Sequence, residues 1–213
     1  MARIDDFIQA RALSIKELAE KEINSIARFS GSVLNHKGEG QLTSISLRFL
    51  NRDIIISWPD MEFSYNVSEG EVPIQQQVLL LHYLNGACNS QAVENSGEWV
   101  SFQDLPEGRF YMDAFIKRAK DPLLRTFGTN PKKMAELATR IYNATPMGFG
   151  DFSAVVRALP MVPVVLVLWQ GDDEFPPEAN ILFDRSISNI LSAEDIAWLA
   201  GMVVYPLVGM AKE

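Results

Sequence analysis

The chain has 213 residues, of which 47% are apolar and 22% charged, and its 19 Lys and Arg against 27 Asp and Glu give a net charge of −8. This composition is that of an ordinary globular protein and excludes a disordered one. Two histidines and one cysteine, Cys88, exclude a disulfide framework, a zinc finger and a four-cysteine iron–sulfur site held by this chain alone. The acidic balance, with no basic cluster interleaved with aromatic residues, argues against nucleic acids and anionic membranes as partners.

The first stretch of the chain has helical spacing. Apolar residues recur at intervals of three and four from Ile4 to Ala27, which predicts an amphipathic helix over residues 3–29 with Gly31 as its stop signal. We therefore divide the chain into an N-terminal helix, residues 1–30, and an α+β domain, residues 31–213. The N-terminal helix packs either on the same domain or on a second copy of the chain.

The middle of the chain changes its periodicity twice. From Gln41 to Asn66 apolar residues alternate with polar ones, which predicts an antiparallel meander with one covered face. Pro73 then opens an apolar helix that Gly86 can end, and a polar loop follows as far as Gly97. Three more helices are predicted after that loop, at Met112–Lys120, Pro122–Phe127 and Pro131–Asn143.

The last third of the chain contains the most apolar run. Residues 152–159 and 162–169 predict two strands, and the second lacks polar alternation, as expected of a central strand that is covered on both faces. A short strand at 181–184 and a helix from Ser192 to about residue 210 complete an α+β fold, a mostly antiparallel sheet with packed helices. The apolar stretch of this last helix is shorter than the ~20 residues that a membrane span requires. The amino terminus does not read as a secretory signal, so we expect a cytoplasmic protein.

An acidic cluster follows the apolar run. Oxygen ligands gathered on a loop are what Ca²⁺ or Mg²⁺ requires, and paired carboxylates can divide the roles of acid and base. The candidate metal ligands are Asp172, Asp173, Glu174 and Asp184. A solvated turn between two strands is the alternative interpretation.

Aromatic residues beside acidic ones form the second candidate site. A tryptophan presents a large apolar face and one N–H donor, which suits the stacking of a ligand. The candidate ligand-binding residues are Glu98, Trp99, Phe102, Trp169 and Phe175. If the two stretches that carry them meet in space, they predict a pocket with aromatic walls and a few polar groups.

Two long motifs are similar to a known family. GEWVSFQDLPEGRFY at 97–111 and VLVLWQGDDEFPPEANILFD at 165–184, with FLNRDIIISWPD at 49–60 and IQQQVLLLHYLNGA at 74–87, resemble a family of domains of unknown function from anaerobic bacteria and archaea. Members of that family are sometimes joined to cysteine-rich iron–sulfur modules, which implies a role near redox or corrinoid-dependent one-carbon metabolism. Because this chain has one cysteine, any such cluster would have to be held by a partner. The resemblance supplies no catalytic residues.

Three functions remain open from the sequence. The first is a non-catalytic accessory domain that binds a small molecule, a cofactor or a partner protein, and the missing catalytic motifs favour it. The second is a cation-dependent hydrolase or transferase that uses the acidic cluster. The third is a structural protein that forms a homodimer through its first and last helices.

Overall fold

The structure, a computed structural model, describes residues 4–36, 38, 42–67, 70–91 and 94–212. It confirms the predicted α+β class, with an N-terminal helix and two antiparallel sheets. Residues 3 and 41, at which the sequence predicts the first helix and the first strand to begin, lie outside the described residues.

The chain forms two compact units. The predicted division into a helix at residues 1–30 and a domain at residues 31–213 stays a prediction. Unit 1 consists of residues 1–94 together with the short segments Leu159–Met161 and Asn189–Leu191. Unit 2 consists of residues 95–158, 162–188 and 192–213. Both units are therefore assembled from separate pieces of the chain.

Unit 1 combines three helices with a four-stranded antiparallel sheet of order β1-β2-β3-β4. Its elements are α1 (Ile4–Ala19), α2 (Ile23–Ser30), β1 (Val33–His36), β2 (Leu42–Phe49), β3 (Arg52–Ser57), β4 (Phe63–Tyr65) and α3 (Ile74–Ser90). In the register of β2 and β3, Ile45 lies opposite Ile56 and Leu47 opposite Ile54, and all four side chains are fully buried. The period of two in the sequence thus marks the covered face of the predicted meander.

The single helix predicted over residues 3–29 is wrong, because the chain breaks between α1 and α2. The amides of Glu20 and Lys21 bond to carbonyls three residues back, and Glu22 is extended with φ −69° and ψ 123°. The apolar spacing continues across this break. Periodicity alone therefore gives no sign of the break.

Helix α3 continues past Gly86, which the sequence predicted as its stop. It ends instead at Ser90, and the residue that caps it, Gln91, is in the left-handed conformation with φ 52°. Gly86 has a packing role, since a Cβ atom built on it would lie 1.8 Å from the carbonyl oxygen of Ile190. A glycine inside a helix is here a point of backbone contact.

Tyr83 of α3 connects three pieces of unit 1. Its buried hydroxyl donates to the Ser30 carbonyl at 2.7 Å and accepts from the Met161 amide at 3.1 Å. Burial raises the pKa of Tyr83 far above its ordinary value, although the Met161 hydrogen bond acts in the opposite direction.

Replacement of Tyr83 by phenylalanine is expected to destabilise unit 1 by about 1–3 kcal/mol, because the Met161 amide loses its hydroxyl acceptor. Urea denaturation followed by circular dichroism measures this loss. Tyr65→Phe is the matched control, since the Tyr65 hydroxyl is half-buried and makes a longer bond of 3.3 Å to Gln76. Equal effects of the two substitutions would contradict the role of Tyr83.

Unit 2 places helices against a five-stranded sheet of order β5-β9-β8-β7-β6. Its strands are β5 (Trp99–Ser101), β6 (Thr145–Pro146), β7 (Phe152–Leu159), β8 (Val162–Trp169) and β9 (Glu178–Asp184). Its helices are α4 (Met112–Phe115), α5 (Asp121–Phe127), α6 (Pro131–Tyr142) and α7 (Ala193–Met210), and a π-helical segment, Ile116–Lys120, joins α4 to α5.

Strands β7 and β8 have the bounds that the sequence predicted. Every residue of β8 from Val162 to Leu168 is buried, and the strand lies between two neighbours, β7 and β9. The missing polar alternation therefore marks a central strand with both faces covered, as predicted.

Helix α7 begins at the predicted capping box. Ser192 Oγ accepts from the Asp195 amide, and the Asp195 carboxylate accepts from the Ser192 amide. The helix continues past Pro206 to Met210, and the Tyr142 hydroxyl of α6 donates to the Val203 carbonyl at 2.8 Å. By length and composition α7 is long and apolar enough to cross a membrane, and 50% of it is buried within the chain.

Candidate functional site

The two long motifs of the sequence meet in unit 2. Strand β5 pairs with the end of β9, so that Trp99 lies opposite Asp184 and Ser101 opposite Leu182. Because β9 contributes the end of the second motif, the two stretches are neighbours in one sheet.

The aromatic residues of the predicted pocket are nevertheless separated. Trp99 lies opposite Asp184, and Trp169 lies opposite Glu178 at the other end of β9. The six residue steps between these positions correspond to about 20 Å along the strand. Phe175 follows Trp169 in the acidic turn, so Trp99 does not share a pocket wall with Trp169 and Phe175.

Phe102 belongs to the core of unit 2. Its ring is 1% exposed, stacks on Phe115 with 4.3 Å between the ring centroids, and meets the edge of Phe183 at 6.2 Å. Both neighbours are themselves buried. The Phe102 ring is therefore packed inside unit 2, and its predicted part in ligand binding stays a prediction.

Glu98 forms an exposed ion pair with Arg185. The two carboxylate oxygens accept from Arg185 Nε at 2.6 Å and Nη2 at 2.8 Å, and the Arg185 amide donates to the Glu98 carbonyl. The hydrogen bonds from Arg185 hold the pKa of Glu98 below its ordinary value. This ion pair connects the residue just before β5 to the residue just after β9.

Asp184 is a buried carboxylate that binds backbone and hydroxyl donors. It accepts from the amide and hydroxyl of Ser96, from the Gly97 amide, and from the amide and hydroxyl of Ser186, at distances of 2.5–3.0 Å. Its two oxygens are thus occupied by the loop before β5 and by the turn after β9. Asp184 has a structural role at this position.

The acidic turn after β8 is held by Asp172. Its carboxylate accepts from the amides of Glu174 and Phe175 at 2.8 Å, and these bonds hold the pKa of Asp172 below its ordinary value. Asp173 and Glu174 are exposed at the tip of the turn. Within the described part of the chain, no three His, Cys, Asp or Glu side chains are grouped so that they could hold a metal ion. Asp184 in particular lies at the far end of β9 from this turn.

A different site, which the sequence analysis did not single out, lies between the π-helical segment and α7. The guanidinium carbon of Arg118 is 4.2 Å from the ring centroid of Trp198, and its Nη1 atom is buried without a hydrogen-bond partner among the described residues. Gly201 lets the two helices approach, since a Cβ atom there would lie 3.3 Å from the Arg118 carbonyl oxygen. We call Arg118 and Trp198 the guanidinium site.

The backbone around the guanidinium site is unusual. The Asp121 amide bonds to the carbonyl of Ile116, five residues back, which defines the π-helical turn that contains Arg118. Such turns are rare and occur frequently at functional sites. They have no simple sequence signature, and the residues IKRAK predict an ordinary helix.

The region around the guanidinium site is also the basic part of an otherwise acidic chain. Residues 109–142 carry eight Lys and Arg against three Asp and Glu, whereas the remaining residues carry 11 against 24. The eight are Arg109, Lys117, Arg118, Lys120, Arg125, Lys132, Lys133 and Arg140. A segment count of charges would have shown this basic region in the sequence.

The fold and site define an α+β domain that presents an arginine stacked on a tryptophan in a basic helical region. A family model described as Domain of unknown function (DUF3786) matches residues 22–205. The chain belongs to this family, and the resemblance to a family of domains of unknown function is confirmed. No curated protein and no solved structure matches the chain.

Proposed function

We propose that the chain is a non-catalytic binding domain and that unit 2 recognises an anionic group, a carboxylate or a phosphate, at the guanidinium site. The observation that carries this proposal is the buried Nη1 atom of Arg118, which has no partner among the described residues. A buried donor without an acceptor costs about 1–3 kcal/mol, and more when it is charged. Arg118 as a whole is half-buried, and an anion bound on its exposed side would neutralise the charge that lacks an acceptor.

The geometry of Arg118 suits this task. Its guanidinium lies over the Trp198 ring, 4.2 Å from the ring centroid, and this contact holds the guanidinium beside α7. A planar guanidinium matches the paired oxygens of carboxylates and phosphates better than an ammonium group does. Lys117 is exposed beside it in the same π-helical segment and adds positive charge.

Binding is favoured over hydrolase or transferase chemistry because the carboxylates of Asp172 and Asp184 hold separate parts of the structure. Asp184 accepts hydrogen bonds inside the sheet edge, and Asp172 holds its own turn. The two carboxylates therefore do not converge on one reacting group. The cation-dependent enzyme remains the weaker of the two proposals.

The cellular setting is part of the same proposal. We place the domain in the cytoplasm, where Cys88 would remain reduced. A role near redox or corrinoid-dependent one-carbon metabolism follows from the resemblance alone. In that setting a partner would hold any iron–sulfur cluster, and the anionic group could belong to a small molecule, a cofactor or a protein.

The test is an anion titration at constant ionic strength, with inorganic phosphate, pyrophosphate and citrate as probes. At ten times its dissociation constant a probe is expected to stabilise the wild-type protein by about 1.4 kcal/mol, which raises Tm by roughly 3–6 °C. Arg118→Gln is expected to weaken binding at least tenfold. Arg125→Gln is the matched control, because it removes the same charge from an exposed position in α5. Equal binding by all three proteins, or no binding of any probe, would overturn the proposal.

A further inference from the structure

The outward side of α7 is unusually apolar. Trp198 and Met202 are half-buried, and Tyr205 and Pro206 are exposed, on the side of α7 away from its buried residues. The outward side of a surface helix ordinarily carries charged and polar residues. Aromatic residues, methionine and arginine are instead typical of the centre of a protein–protein interface. We call this stripe together with Arg118 and Lys117 the guanidinium face.

The acidic turn of the same unit has the complementary chemistry. Asp173, Glu174 and Phe175 form its tip, and Phe175 is 67% exposed. The Asp172 carboxylate fixes the turn from within through the amides of Glu174 and Phe175. A tip that is already ordered loses little conformational entropy when it binds.

The turn and the basic helices are close to each other within unit 2. The Glu178 carboxylate, at the start of β9, is 3.9 Å from Lys120 Nζ. Pro177 lies against Gly128 at the end of α5. The acidic tip and the guanidinium face carry opposite charges, and a two-fold axis that paired them would repeat the same contact on both sides.

We propose that two copies of the chain associate as a symmetric dimer in which the tip Asp173–Phe175 of each copy lies on the guanidinium face of the other. The carboxylates of Asp173 and Glu174 pair with Lys117 and with the exposed part of Arg118, and the Phe175 ring packs on the apolar stripe of α7. This inference rests on the proposed function and names the source of the anion as a second copy of the chain. A stable dimer of this kind would bury about 800 Å² per copy.

The test is sedimentation velocity from 1 to 100 µM with charge-reversed variants. The wild type is expected to pass from the 23.8 kDa monomer to a dimer as concentration rises. The tip variant D173K/E174K and the face variant K117E/R118E are each expected to remain monomeric. Their equimolar mixture is expected to form a dimer, because both contacts are then complementary in charge. Restoration in the mixture also shows that both variants are folded.

Two further variants complete the experiment, one as a control for charge and one as a test of the apolar contact. D60K/E62K changes the same charges at exposed positions of unit 1 and is expected to dimerise like the wild type. Phe175→Ser is expected to weaken the dimer at least tenfold without changing any charge.

The inference is overturned if the wild type is monomeric at 100 µM, if charge reversal leaves the dimer intact, or if mixing does not restore it. A monomeric wild type that still binds phosphate through Arg118 would leave the proposed function standing and reject only the dimer. Loss of Arg118-dependent anion binding as well would reject both.

Discussion

Replacement of Asp184 by alanine is expected to lower the free energy of unfolding of unit 2 by about 3–5 kcal/mol, because the buried donors of Ser186 and the part-buried donors of Ser96 and Gly97 lose their common acceptor. The amides of Ser96, Gly97 and Ser186 all donate to this carboxylate. At 2–4 °C per kcal/mol this corresponds to a fall in Tm of roughly 6–20 °C. Glu98→Gln is the control, since it removes a neighbouring but exposed carboxylate, and it is expected to have a much smaller effect.

The same network makes this contribution dependent on pH. Burial acts to raise the pKa of Asp184, but hydrogen bonds from Ser186 and Ser96 outweigh burial and leave the pKa below its ordinary value. The contribution is therefore complete above the unfolded pKa of about 3.9 and is lost as pH falls through the lower folded pKa. Urea denaturation of wild type and Asp184→Asn should show a stability difference that shrinks below about pH 4. A constant difference from pH 7 to pH 3 would contradict this account.

Replacement of Gly86 by alanine is expected to destabilise unit 1 by about 3 kcal/mol or more, because the new methyl group would meet a backbone oxygen. The Ile190 carbonyl oxygen lies 1.8 Å from the Cβ position, and relief requires α3 or residue 190 to move. Thermal denaturation should show a fall in Tm of at least roughly 6 °C.

Gly209→Ala provides a control of opposite sign. Apart from its chain neighbours and the nearby backbone of α7, no atom of the described residues lies within 4 Å of the Cβ position at Gly209. Alanine is favoured over glycine in a helix by up to about 1 kcal/mol, so this variant should be slightly more stable than the wild type. A similar loss of stability in both variants would contradict the contact with Ile190 as the cause of the loss at Gly86.

The fold was most predictable where one physical cause dominated the sequence pattern. Complete burial gave β8 its unbroken apolar run, and the capping box fixed the start of α7 at Ser192. Local patterns failed where tertiary packing decided the outcome. Gly86 is a stop signal by local rules, but its packing on Ile190 lets α3 continue.

The candidate site was harder to predict, because residues that are close in the sequence lie far apart in the structure. Asp184 was grouped with Asp172 since only twelve positions separate them, yet β9 places Asp184 at the opposite end of a strand from the acidic turn. Arg118 was missed for another reason. Its pairing with Trp198 joins residues 80 positions apart, and a π-helical turn has no simple sequence signature.

The discontinuous make-up of unit 1 has a consequence for synthesis on the ribosome. Tyr83 and Gly86 leave the exit tunnel early, but their partners Met161 and Ile190 are translated much later. A nascent chain that has been released only as far as residue 94 therefore lacks two of the three pieces of unit 1. The amino-terminal unit, which begins to emerge first, can complete its packing only when almost the whole chain has been made.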